Sequence, residues 1–349
     1  MQTMPVYWKT RPEDVAETCD LVKKGRVSIP AYSAGGRPIY MVEYGKSNLV
    51  RGKANLSSAL GGKSYQAYAD KTGEDYIPTV FLVGAVHGGE VEGTSAILNL
   101  IKLLETGTDY AGDAYPELVE ACEGLHLILI PLANPDGRAR VPFDSFVGRS
   151  FHDLRYYCQG AWKDGSLCGW PGCKLVHPIK DHVSYLGSYF NDDGINMMHE
   201  DFLGGKLSAE TQLLLDVCRQ EVPDFSILLH GGDNSPDHII PPTYASGKAM
   251  GEALELSRRV EERHLEENLP YYFMPDRKEE QADPPTAFNL VSAMHHACGE
   301  PAVTYESNQG LVEADRPGCT YDQIYLAHRL LLIEVCRFVR KKHGKEEIV

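Results

Sequence analysis

Residues 79–86, Thr79-Val80-Phe81-Leu82-Val83-Gly84-Ala85-Val86, form an apolar run that stops at His87-Gly88-Gly89-Glu90 and gives way to helical spacing. Thr94, Ala96, Ile97, Leu98, Leu100, Ile101 and Leu103 then fall on one face of a helix. The same alternation of strand-like and helix-like segments recurs along the chain. It predicts strands near 37–44, 79–86, 125–131, 224–230 and 302–306, and helices near 91–104, 208–221, 247–266 and 321–342. Strands separated by helices predict an α/β fold, a mixed and mostly parallel sheet covered by helices on both faces, with any site at the strand ends. No internal repeat or low-complexity segment interrupts the pattern.

His87 and Glu90 stand three residues apart at the predicted strand-to-helix junction, a spacing that lets an imidazole and a carboxylate reach one metal ion from a first helical turn. Gly88 and Gly89 are expected to let the chain turn sharply there. With 13 histidines and 49 acidic residues, one such pair arises easily by chance, so its company decides. Leu132-Ala133-Asn134-Pro135-Asp136-Gly137-Arg138, Ser226-Ile227-Leu228-Leu229-His230 and Ala302-Val303-Thr304-Tyr305-Glu306 each put polar groups at or just beyond the end of a β-like run. Gly231-Gly232 signals a chain leaving the core after His230, and Gly310 does so after Glu306. In 302–306 the two-residue period sets Val303 and Tyr305 on one face and Thr304 and Glu306 on the other.

A His-x-x-Glu, an Asn-Pro-Asp-Gly turn, a distant His and a late Glu, in that order, resemble the zinc carboxypeptidases of peptidase family M14. Ser33-Ala34-Gly35-Gly36-Arg37-Pro38-Ile39-Tyr40 resembles that family's first strand and its preceding turn, so the resemblance runs from about residue 30 to about 340. It implies a zinc carboxypeptidase-like α/β/α sandwich and one Zn²⁺ per chain, held by His87, Glu90 and His230. Catalytic zinc usually takes three protein ligands and leaves a position for water, and two histidines with a carboxylate are a known set. Glu306 matches the family's general base and later proton donor. Asn196, in Asp193-Gly194-Ile195-Asn196-Met197-Met198-His199, matches a substrate-binding Asn, and Met197 stands where the family's carboxylate-binding Arg is expected. A second arginine, which polarises the scissile carbonyl, has Arg149 and Arg155 in range, with Arg140 a weaker candidate. Tyr271 and Tyr272 fall near the family's active-site tyrosine in order, but read better as packing aromatics. Arg277 and Arg316 are candidates for a displaced carboxylate clamp.

Composition sets the class. A chain of 349 residues, 43% hydrophobic and 24% charged, can bury one large core, and no compositional break divides it. The expectation is a single M14-type domain over 1–349 with a Cys-rich insertion at about 156–190. A formal net charge of −15 disfavours nucleic acid and anionic membrane as partners. Without an export pattern or a bilayer-length apolar run, a cytoplasmic location is expected, and the nine cysteines are expected to be reduced. Cys158, Cys168 and Cys173 lie in the insertion with Trp162, Trp170, His177 and His182; their spacing fits no standard closed zinc site, and the insertion is expected to form a partly ordered lid.

The resulting expectation is a zinc-dependent hydrolase that cleaves an amide or peptide bond in a peptide or N-acyl amino acid. One alternative is a deacylase or amidase related to succinylglutamate desuccinylase and aspartoacylase, which the absent Arg and His230-Gly231-Gly232 would suit. The other is a non-catalytic zinc-binding protein, against which Glu306 argues. Oligomeric state is not legible.

Overall fold

The computed structural model describes residues 3–344 apart from 49, 275–282, 284, 314–315 and 317. Its strands are β1 (Arg26–Tyr32), β2 (Pro38–Tyr44), β3 (Thr79–Gly84), β4 (His126–Ile130), β5 (Ala161–Trp162), β6 (Val183–Tyr185), β7 (Phe225–Gly231), β8 (His238–Ile240) and β9 (Ala302–Ser307). Its helices are α1 (Pro12–Asp20), α2 (Leu56–Gly61), α3 (Glu92–Thr106), α4 (Pro116–Cys122), α5 (Pro135–Arg140), α6 (Phe151–Leu154), α7 (Ala209–Glu221), α8 (Gly247–Glu266), α9 (Leu290–Cys298) and α10 (Tyr321–Lys342). Seven strands make one sheet in the order β1-β2-β4-β3-β7-β9-β8. The middle four, β4, β3, β7 and β9, are parallel, while β1, β2 and β8 join at the edges antiparallel.

The two-residue period of each strand sorts the core into two layers. Val80, Leu82, Ile227, Leu229, Val303 and Tyr305 pack with α3, α8 and α10, whereas Phe81, Val83 and Leu228 pack with α7 and α9. Every residue of β3 is buried, and burying a side chain of this size is worth about 1.5–3 kcal/mol, so the middle strands anchor the fold. Helix ends follow local rules. Gly107 closes α3 in the left-handed region, and Thr320 with Gln323 forms a capping box at the start of α10.

The predicted strands and helices all appear, with bounds that match or differ by one or two residues; the two-residue shifts are at the end of β3, Gly84, and the end of α3, Thr106. β1, β5, β6, β8, α1, α2, α4, α5, α6 and α9 were not predicted. Pro30 breaks the strand signal of β1, and β8 is only three residues long. α9 did carry a signal: Asn289 caps it by accepting the Ser292 N–H, and Gly299 ends it in the left-handed region.

The insertion is ordered around its own apolar cluster, in which Cys158, Cys168 and Cys173 pack with Ile179 and Phe190, and β5 pairs with β6. All nine cysteines are buried and unbridged. The His177 Nε2 accepts the Asn196 backbone N–H at 2.9 Å, so this histidine is committed away from any cysteine site. No helix among the described residues is long and apolar enough to cross a membrane.

Candidate active site

β3, β7 and β9 end side by side, and their register does the placing. His230 on β7 lies directly opposite Glu306 on β9, and the loop that leaves β3 brings in His87 and Glu90. The latter two precede α3 in a turn closed by the Glu90 N–H to His87 carbonyl bond, so they are not in the first helical turn that the spacing suggested. The glycines between them serve close approach rather than an unusual backbone angle. A Cβ on Gly88 would lie 2.2 Å from the Arg138 backbone N, and one on Gly89 would lie 2.5 Å from Ser188 Oγ.

Glu90 is shared between two imidazoles. Its Oε1 lies 3.0 Å from His87 Nδ1 and its Oε2 lies 2.7 Å from His230 Nδ1, with the Gly231 N–H donating to Oε2 at 3.3 Å. Ligand atoms of the three residues lie within 4.8 Å of one another. Asn196 Oδ1 accepts the Met198 N–H at 3.0 Å, which fixes it as an acceptor, and it also faces His87 Nε2 at 3.2 Å. Nε2 must then carry the proton, and a neutral imidazole leaves a lone pair on Nδ1 pointing at a carboxylate oxygen. Two acceptors 3.0 Å apart need a cation or a second proton between them. His230 Nε2 is buried without a partner. Two imidazoles and a carboxylate, one imidazole steered from behind by an amide oxygen, fit a zinc ion.

The charges respond to burial and to one another. Burial pushes Glu90 up, but His87 and His230 outweigh it and hold the carboxyl well below its usual range. Burial draws His87 down; for His230 it does the same, but Glu90 wins and the imidazole sits above its ordinary value. Glu306 rises to about 7, first through burial and also through the Glu90 and Asp233 carboxylates, with His230 opposing. The His87 ring stacks on Tyr189 with centroids 3.9 Å apart. The cleft in front of these groups has a volume of about 340 Å³, and His87, Glu90, Arg155, Gln159, Trp170 and Glu306 are among its lining.

Other sequence candidates fall elsewhere. Asn196 is buried behind His87 and does not line the cleft. Met197 is fully buried in the core layer with α7 and α9, because the Asn196-capped turn Met197–His199 points it inward; it occupies no substrate pocket. Arg149 stacks on Phe143, and Arg140 is spent on the Leu186 and Gly187 carbonyls and on Asp192. Arg155 alone of the three lines the cleft, with its guanidinium over Phe151 and a buried Nε lacking a partner. Tyr271 is a packing residue whose hydroxyl meets that of Ser257 at 2.9 Å, and Tyr272 is exposed. Arg316 lines a neighbouring cavity, and Arg277 lies outside the described residues. Asp136 is structural: it accepts from Ser33 Oγ, Gly35 N, Arg37 Nη1 and Asp192 N, tying the early loop to the site. Sequence reasoning missed Gln159, Trp170 and Tyr189, which the insertion brings to the cleft with no spacing signal to announce them.

The family model described as zinc carboxypeptidase, peptidase M14, matches residues 18–161. Over that stretch the chain is similar to the M14 zinc carboxypeptidases. It contains His87, Glu90, the Asn134-Pro135-Asp136-Gly137 turn and Arg155, while His230 and Glu306 lie beyond it. The fold is similar to that of a metallo-carboxypeptidase from Burkholderia cenocepacia, with a TM-score of 0.57 and 13% identity over 95% of this chain and 69% of that one. It is also similar to a metallo-carboxypeptidase from Pseudomonas aeruginosa, solved in complex with (2-guanidinoethylmercapto)succinic acid, with a TM-score of 0.54 and 13% identity over 95% and 69% of the two chains. These likenesses show a shared carboxypeptidase-like α/β fold. No curated protein matches the sequence.

Proposed function

We propose that residues 1–349 form one M14-type unit that hydrolyses an amide bond, with His87, Glu90 and His230 holding one zinc ion and Glu306 as general base. The observation that carries this reading is the convergence of the His87 and His230 imidazoles on the one Glu90 carboxylate, 3.0 and 2.7 Å away, in the floor of a cleft that Glu306 also lines. Zinc, when bound, supplies a Lewis acid that lowers the pKa of water and polarises a carbonyl. Glu306, on the strand next to His230, takes a proton from the attacking water and passes it to the departing amine, leaving a carboxylic acid and an amine as products. Arg155, with an unpartnered Nε at the cleft wall, steadies the negative charge that develops on the carbonyl oxygen.

A small-molecule deacylase is the second reading, favoured by a cleft near the lower end of the 300–1,000 Å³ usual for ligand sites. Met197 lends this reading no support, since it is buried in the core. Turnover of the zinc-loaded protein should be measured on free-acid peptides, C-terminally blocked peptides and N-acyl amino acids. Hydrolysis within this panel supports the proposal and chooses between its forms. No hydrolysis of any member by protein that holds zinc would overturn it.

A further inference from the structure

The insertion sets a cation against a residue of the cleft wall. Lys174 ends a short turn, Gly172–Lys174, which is pinned by its neighbour Cys173, buried in the same apolar cluster as Cys158 and Cys168. Backbone bonds from Cys173 N to Gly169 O and from Lys174 N to Pro171 O hold the turn's shape. The Lys174 ammonium lies 3.4 Å from the centre of the Trp170 ring, and Trp170 lines the same cleft as His87, Glu90 and Glu306. Among the described residues Lys174 makes no ion pair and no side-chain hydrogen bond. By contrast Lys71 clasps Asp224 and Glu300, and Lys342 clasps Glu252 and Glu300.

We propose that Lys174, seated on Trp170, is the group that selects a carboxylate on the substrate. This rests on the hydrolase reading above and adds a specificity residue to it. Of the arginines near the site, Arg37 pairs with Asp136 and Asp192, Arg138 with Asp144 and Arg140 with Asp192, while Arg155 stacks on Phe151. Burial lowers Lys174 to about 8, with Cys173 and Glu306 opposing, so the amine stays mostly charged at neutral pH and its field reaches Glu306. Nearby His199 is pulled down to about 3, first by burial and then by Lys174 and His87, which keeps it neutral. An ammonium that is partly desolvated, held by a ring and left without an anion is suited to bind one.

Two sources can present that carboxylate, a free C-terminus or an acidic side chain. The test uses zinc-loaded full-length protein and three probes: N-benzoylglycyl-phenylalanine, its C-terminal amide, and N-benzoylglycyl-glutamic acid α-amide. For wild type, Lys174→Met and Lys174→Arg, KM and kcat are measured separately, together with equilibrium binding of the same probes. The expected result is a KM preference for one carboxylate probe over the neutral amide that shrinks about tenfold or more in Lys174→Met, mainly through KM, and returns in Lys174→Arg. The probe that responds names the source. Lys174-dependent binding of a carboxylate probe without turnover would sustain this site and sink the hydrolase reading. Turnover with a preference unmoved by Lys174→Met, a KM change equal for charged and neutral probes, or no binding of any probe would overturn it.

Discussion

The same strands carry a buried carboxylate cluster at each end, and the two are finished differently. Where β3 and β7 begin, Asp224 accepts from Lys71 Nζ at 2.9 Å, Tyr76 Oη at 2.5 Å, Thr79 N at 2.8 Å and His343 Nε2 at 2.8 Å. Every oxygen there faces a donor. Where β3, β7 and β9 end, one carboxylate, Glu90, is shared by two imidazoles, while His230 Nε2, Asn196 Nδ2 and Arg155 Nε are buried without partners. A satisfied cluster is complete as architecture, whereas an unsatisfied one of this composition asks for a cation and a substrate.

The sharpest way to break that contrast is at Glu306. Glu306→Gln should keep the fold and the zinc while lowering turnover on a confirmed substrate by roughly 10²-fold to 10⁴-fold. Comparable rates for mutant and wild type would move the base elsewhere.

At the other end the effect should be on stability. Asp224→Asn is expected to cost about 3 kcal/mol in urea unfolding at pH 7, since it strips a buried charge from Lys71 and His343. Zinc content should stay unchanged. Burial alone would raise the Asp224 pKa, but Lys71 and His343 outweigh it and hold it below its ordinary value. With the folded value lowered, this stabilisation is present above the unfolded carboxylate pKa of about 3.9 and disappears as pH falls through the folded value. Wild type should therefore lose more stability than Asp224→Asn between about pH 5 and pH 2. Parallel acid titrations of the two proteins would contradict the ion-cluster account.

A smaller effect is expected behind the site. Asn196→Ala removes the oxygen that fixes the His87 tautomer and should weaken zinc binding by about tenfold to a hundredfold, read by competition with a chelator. Unchanged affinity would make Asn196 only a cap for the turn that follows it. Smallest of all, Leu175→Ser on the exposed rim of the insertion should alter stability by less than about 0.5 kcal/mol, since Leu175 is 82% exposed and supports neither cluster.

Only one end of this contrast was legible in the sequence. The strand ends were visible because β3, β7 and β9 are buried on both faces and so appear as apolar runs that stop at polar residues. His87, Glu90, His230 and Glu306 each stand at such a stop, and strand register then brings them together. Asn196 and Met197 were misplaced because a short turn has no periodicity, and only its cap tells which side chain points inward. Lys174 and Trp170 were invisible as site residues for a related reason. Their position depends on how three cysteines pack into a local core, and no spacing rule encodes that.

The central claim is that the unsatisfied end of the sheet is a zinc site, and metal analysis of three purified proteins tests it most directly. Wild type and Asp224→Asn should each hold about one zinc per chain, and His230→Ala should hold none, with folding of each checked by circular dichroism. Zinc retained at full occupancy in His230→Ala, or wild-type protein that takes up no transition metal at all, would contradict the account.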